Sequence, residues 1–176
     1  MTDAASTTSP RIYVACLAAY NNGYLHGAWI DADQDPDAIR AEIAAMLACS
    51  PVEGAEEFAI HDYECFEGIS ISEYADIDSV ARTAAFIAEH GKLGAGVLEQ
   101  FSSSIDDAET ALRDCYLGQF TSLADYMEEL ITGCVTIPEP LRNYIDWEAM
   151  ARDAELNGDV FTIETAFDEV HVFSSR

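Results

Sequence analysis

Arg11 to Asp31 reads RIYVACLAAYNNGYLHGAWID, and this stretch decides how the rest of the chain is read. Arg11 to Tyr20 is rich in Ile, Tyr and Val, Asn21-Asn22-Gly23 interrupts it, and Tyr24 to Asp31 resumes the apolar pattern. Asn-Gly supplies the positive-φ positions of a tight hairpin turn, so two antiparallel strands are expected. Asp35-Pro36 then offers an N-cap with proline at the first helical position. Ile39, Ile43, Met46 and Leu47 recur at i, i+4, i+7 and i+8, which predicts a helix that leaves at Pro51. In EFAIHDYE, Glu57 to Glu64, Phe58, Ile60 and Asp62 alternate with Ala59, His61 and Tyr63, the period of a third strand. The opening module is therefore a small sheet with a helix.

Further along, the character changes. From Ile71 to Phe101 the pattern predicts short helical stretches broken by glycine, with Val80, Ala84 and Ile87 on one face. Gly91-Lys92-Leu93-Gly94-Ala95-Gly96 reads as a flexible connection, since it has glycines without a phosphate-loop frame. Helical character continues over Ile105 to Leu112, and CYLGQF, Cys115 to Phe120, reads as a strand. Leu123, Met127, Leu130 and Ile131 then define an amphipathic helix, with Ser122 and Asp125 resembling its capping box. Pro140 opens a helix expected to run from Leu141 to about Leu156, with Leu141, Tyr144, Ile145, Trp147, Met150 and Ala151 inward and Asn157-Gly158 closing it. Val160 to Thr165 and Val170 to Phe173 make a final hairpin. Met1 to Pro10 is small and polar and reads as a disordered tail.

Composition narrows the function classes. The 176 residues carry 33 Asp and Glu against 8 Lys and Arg, a net charge of −25. Nucleic-acid binders hold phosphates with clustered Lys and Arg; one lysine, Lys92, and seven scattered arginines argue against direct nucleic-acid binding. An anionic membrane surface is excluded on the same ground. Acidity signals disorder only when hydrophobicity is low, and here 49% of residues are apolar, with eight Tyr, eight Phe and two Trp. The charge is also spread: −8 over residues 1–63, −5 over 64–103 and −12 over 104–176. Carboxylates interleaved with apolar positions coat folded elements, at a cost in self-repulsion. The absence of an 18-residue apolar run and of a basic, apolar leader predicts a cytoplasmic protein. Five widely spaced cysteines without CxxC read as reduced packing residues.

No catalytic motif emerges. Asp31, Asp33, Asp35 and Glu42 imitate a calcium loop, but Pro36 occupies the position that must turn at positive φ. His26, His61, His90 and His171 fall in separate elements without metal-ligand spacing. His61-Asp62 could orient Cys65, yet the three lie too close in sequence for a triad, and nothing marks an oxyanion hole. Acid pairs such as Asp106-Asp107 and Glu128-Glu129 arise by abundance alone. The residues thus call for no enzyme, cofactor or metal.

Four separate segments carry a resemblance: Arg11 to Asp31, Glu57 to Glu64, CYLGQFTSLADY from Cys115 to Tyr126, and LRNYIDWEAMARDAELNG from Leu141 to Gly158. In order and spacing the chain resembles the ArdA family of antirestriction proteins. The resemblance implies an α+β fold, elongated, in three small domains in tandem: a sheet-plus-helix domain at 11–63, a helical module at 64–103 and a sheet-plus-helices domain at 104–176. It implies a non-enzymatic mimic of duplex DNA, carried by mobile genetic elements, that occupies the DNA-binding groove of type I restriction-modification enzymes at their methyltransferase core. It also implies a homodimer through the last domain. The family's antirestriction motif falls on Cys115, Tyr116, Leu117, Gly118, Phe120, Asp125 and Tyr126, an expected dimer surface; where the family reads closer to Gly-Glu-Tyr, this chain has Gly118-Gln119-Phe120. The DNA-like surface is expected from Asp31, Asp33, Asp35, Asp37, Glu56, Glu57, Glu73, Asp76, Asp78, Asp106, Asp107, Glu109, Asp114, Glu128, Glu129, Asp146 and Glu148. The rival reading is an acidic cytosolic protein of a high-salt organism, with an unrecognised binding or enzymatic function.

Overall fold

The computed structural model describes residues 9–175, so most of the expected polar tail lies outside the described residues. The chain divides into two compact units, residues 1–95 and 96–176. Each holds one small antiparallel sheet together with helices, an α+β architecture. Among the described residues no helix is long and apolar enough to cross a membrane.

In the first unit β1 (Arg11–Cys16) lies between β2 (Gly27–Asp31) and β3 (Phe58–Glu64). Ile12 pairs with Ile30 and Tyr13 with Trp29, while Ile12, Val14 and Cys16 are fully buried. Helix α2 (Pro36–Ala48) starts where the sequence predicts: the Asp35 carboxylate accepts from the Asp37 N–H, and Ile39, Ile43 and Met46 are buried. Each such side chain removed from water contributes about 1.5–3 kcal/mol. The chain entering this sheet is already engaged before Arg11, since Pro10 is buried and its carbonyl accepts from Ala32 N at 2.8 Å.

Two local expectations fail in this unit for identifiable reasons. The β1–β2 connection is not a tight turn: Leu17–Asn21 form a short helix, α1. Leu17-Ala18-Ala19 favours helix, Cys16 Sγ accepts from Ala19 N, and the Asn22 side chain donates to the Ala18 carbonyl. Asn22-Gly23 therefore ends a helix instead of joining two strands. In β3 the alternation slips, because Tyr13 pairs with Asp62 but Val14 pairs with Ile60. His61 is the extra residue of a β-bulge, and Ala59 and Ile60 ahead of it are both buried.

The expected glycine break is present, but the connection is shorter than the sequence suggests. Ile77–Gln100, α3, is two helices that meet at Gly91, whose non-helical φ of 55° and ψ of −140° suit a residue without Cβ, and the residues after it are helical again. Val80, Ala84 and Ile87 are buried as their spacing predicts. Gly96 serves packing: a Cβ there would lie 2.5 Å from Ile163 Cγ2.

In the second unit α4 (Ile105–Thr110) runs into a π-helical turn at Ala111–Cys115, and then β4 (Tyr116–Phe120) begins. Helix α5 (Leu123–Cys134) follows its Ser122 cap, and the sheet is completed by β5 (Val160–Ala166) and β6 (Glu169–Ser174) in the order β4-β6-β5. The helix predicted from Leu141 is split. Glu139–Tyr144 forms a 3₁₀ segment, and α6 (Trp147–Leu156) begins afresh where the Asp146 carboxylate accepts from Ala149 N. Leu141 and Tyr144, expected inward, are exposed as a consequence, whereas Ala151 is buried and Trp147 and Met150 pack on the core. That core joins α5, α6 and the sheet through Ala124, Met127, Ala151, Ala154, Val160, Val170 and Val172.

Candidate functional site

Charge is the first feature with functional content. All seventeen carboxylates singled out from the sequence are solvent-exposed, from Asp31 to Asp78 in the first unit and from Asp106 to Glu148 in the second. Many sit at element boundaries because a carboxylate there satisfies the free N–H groups of a helix start. Asp35 and Asp146 cap α2 and α6, and Asp76 accepts from Ser79 N at the head of α3. Asp31 accepts from Ser9 Oγ and from Asp33 N at 2.7 and 3.0 Å. Such bonds hold the carboxylates on rigid elements while leaving them open to solvent.

Local cations compensate a few of them. Arg40 pairs with Asp37 and Asp78, and Arg113 grips Asp114 through Nε and Nη2 at 3.0 Å each. The Arg113 hydrogen bond holds the Asp114 carboxyl below the ordinary aspartate range. Asp37, Asp78 and Asp114 thus contribute less to any long-range negative field than their neighbours.

The residues of the Cys115–Tyr126 segment divide into inward and outward groups. Cys115 ends the π-helical turn and is half-buried. Phe120 meets Tyr126 edge to face at 5.1 Å, and both pack on the core of the second unit. The apolar surroundings push the Tyr126 hydroxyl above its usual pKa. Gly118 has φ of 135°, with the Phe120 ring 3.2 Å from where a Cβ would stand. Asp125 is exposed and takes a hydrogen bond from the Thr121 hydroxyl, while its backbone N–H donates to Ser122 Oγ.

Tyr116 and Leu117 face outward on an edge strand. Tyr116 pairs with Phe173 and Gly118 with Val172, so Leu117 is the bulged residue and is 42% exposed. Bulges turn an edge away from indiscriminate pairing and aim one side chain outward. Tyr116 rests on Phe173, ring centroids 5.1 Å apart, and Phe173 stacks on Phe161 at 4.9 Å.

One partner of this segment has no sequence signal. The Tyr116 hydroxyl lies 2.9 Å from Nδ1 of His171, which is buried on the central strand. On the other side of the ring, Nε2 lies 3.1 Å from Thr165 Oγ1 and 3.4 Å from Glu169 Oε1, and the Thr165 hydroxyl donates to Glu169 at 2.7 Å. Because the Thr165 proton is committed to Glu169, the consistent assignment puts the imidazole proton on Nε2 and makes Nδ1 the acceptor for Tyr116. Burial first, and the Glu169 charge second, push the Tyr116 hydroxyl above its usual pKa. The 55 residues between the pair explain why no local pattern finds it. The other histidines stay apart from this network: His26 bonds the Met46 carbonyl, and His61 stands near Glu73. Of the cysteines, Cys16 packs inside, whereas Cys49 and Cys134 are exposed.

Among known proteins, the model of the ArdA antirestriction family matches residues 12–169, nearly the whole described chain. No curated protein matches the sequence.

Proposed function

We propose, for a chain that belongs to the ArdA family of antirestriction proteins, that inhibition works by imitation of duplex DNA in the binding groove of type I restriction-modification enzymes. Family membership brings the antirestriction function and a restriction-modification enzyme as partner; the mimicry is our reading. One observation carries it: the seventeen carboxylates are exposed in both units, ten of them on strands or helices and the rest at caps, turns and connections, and arginines face only some of them. A groove lined with Lys and Arg is complementary to such an array, which needs no ordering on binding. Duplex DNA carries one negative charge per roughly 1.7 Å of axis, so the net charge of −25 matches roughly 40 Å of duplex, and a dimer roughly 80 Å.

In this reading the three-module division at 11–63, 64–103 and 104–176 presents successive stretches of the charged surface. The exposed Tyr116–Leu117 edge of β4 provides the homodimer contact, with Phe120 and Tyr126 supporting it from the core. No catalytic step is involved, and the protein acts in the cytoplasm of the cell that receives foreign DNA.

The decisive test is titration of the protein into a type I methyltransferase carrying labelled cognate DNA, at two salt concentrations. Release of DNA near one dimer per enzyme is expected, weakening at the higher salt. Retention of DNA at large excess of folded protein refutes the proposal and leaves the family assignment standing, with another restriction class as target or the altered Gly118-Gln119-Phe120 motif turned to another partner.

A further inference from the structure

The first unit contains a recess of about 460 Å³ lined by Tyr20, Ile60, His61, Tyr63, Ile71 and Glu73. The β3 bulge shapes it. Its extra residue, His61, meets the Tyr20 ring edge to face at 4.9 Å and stands 3.8 Å from the Glu73 carboxylate. The Ile60 N–H donates to the Glu73 carbonyl at 2.9 Å, so the segment carrying Ile71 and Glu73 is held against the strand. Tyr63 forms another wall and is backed by Phe66, which is buried. The rim is open, with Tyr20 55% exposed and the Glu73 side chain 51% exposed.

Aromatic faces beside one carboxylate, in a strongly acidic molecule, select a cation. A guanidinium fits better than an ammonium because it is planar, weakly hydrated, stacks on rings and can still present N–H groups to a carboxylate. The chain makes such a contact itself on the same sheet, where Arg11 sits 5.2 Å from the centre of the Trp29 ring while also pairing with Glu64. We propose that this recess receives an arginine side chain from the DNA-binding groove of the restriction enzyme and so adds a specific anchor to the diffuse charge match. This rests on the mimicry reading for the identity of the partner, while the chemistry of the recess stands on its own geometry.

Two measurements separate these layers. In the first, the full-length labelled protein is titrated with N-acetyl-arginine amide and with the neutral citrulline analogue, and its NMR signals are followed. Saturable shifts centred on Tyr20, His61, Tyr63 and Glu73 are expected with arginine, at least about fivefold weaker with citrulline, lost in Tyr20→Ala and retained in Tyr20→Phe. Equal response to both probes, no response, or a response spread evenly over the exposed carboxylates overturns the recess. In the second, Tyr20→Ala and a control at another exposed tyrosine, Tyr144→Ala, compete with DNA for a type I methyltransferase. Neither changes the net charge, so charge matching alone predicts no difference. We expect Tyr20→Ala to displace DNA about fivefold less well and Tyr144→Ala to match the unmodified chain. Equal displacement by all three overturns the anchor. If the unmodified chain displaces no DNA, the partner assignment falls with the mimicry, and the NMR titration still decides whether the recess binds arginine.

Discussion

Replacing His171 tests how the antirestriction segment is held. Its ring is buried and is bonded at both nitrogens, to the Tyr116 hydroxyl on one side and to Thr165 and Glu169 on the other. His171→Ala removes two neutral hydrogen bonds worth about 1 kcal/mol each and leaves a partly collapsed cavity worth about 1–2 kcal/mol more, so about 3 kcal/mol is lost. Tyr116→Phe removes only the hydroxyl and leaves the ring on Phe173, a loss of about 1 kcal/mol. For a cooperative unit of this size each kcal/mol moves the melting temperature by about 4–8 °C. The expected falls are thus about 5 °C for Tyr116→Phe and about 15 °C for His171→Ala. The double variant should melt close to His171→Ala, because the hydroxyl has no imidazole left to bond, giving a coupling of about 1 kcal/mol. Thermal unfolding gives the energies, and amide exchange on β4 locates them. Additive effects of the two substitutions, or a fall of less than about 3 °C for His171→Ala, would refute the argument that this histidine ties the edge strand to the sheet.

Tyr116 and Tyr126 have hydroxyls raised above the ordinary value of 10.0 by burial, so the unfolded chain ionises first; stability is intact below pH 10 and falls as pH rises through the folded values. Alkaline unfolding followed by circular dichroism should show this loss, and the double Phe variant should flatten it; an unchanged alkaline slope counts against the burial assignment. Leu117→Glu, on the bulge, should lower dimerisation with folding intact, whereas a charge at Tyr116 or Phe120 should lower it and also destabilise the second unit, through lost contacts with His171 and Phe173 or with Tyr126; unchanged solution mass for folded Leu117→Glu excludes β4 from the interface. Neutralising one of Asp31, Asp33, Asp35 or Asp37 should change DNA displacement little, and neutralising all four should weaken it progressively. Within that set Asp37→Asn should matter least, since Arg40 already faces it; loss of all displacement from a single folded variant would end the distributed model.

Several features of the fold were readable in the sequence because they depend on neighbours along the chain. Asp35-Pro36 starts α2 through a cap and a fixed φ, and Ile39, Ile43 and Met46 lie inward by spacing alone. The last hairpin, the Ser122 cap and the buried face of Val80, Ala84 and Ile87 belong to the same class. Readings failed where a distant group competes with the local pattern. Asn21-Asn22-Gly23 looked like a hairpin turn until Cys16 and Ala19 closed a helix ahead of it. Leu141 and Tyr144 kept helical spacing, but a 3₁₀ segment and a new cap at Asp146 turned them outward.

The candidate site divides along the same line. Net charge, its even spread over the chain and the four segments of family resemblance are properties of composition and order, and they were enough to point to an acidic antirestriction protein without a folded structure. Tertiary structure alone decided which motif residues face out. Only a strand pairing with a bulge could place Leu117 outward and Phe120 on the core. Only the meeting of β4 and β6 could bring His171 to Tyr116, and only a slipped register in β3 could put His61 between Tyr20 and Glu73. Charge is carried by each residue wherever the chain goes, whereas a recess or a hydrogen-bond network exists only once remote strands are in register.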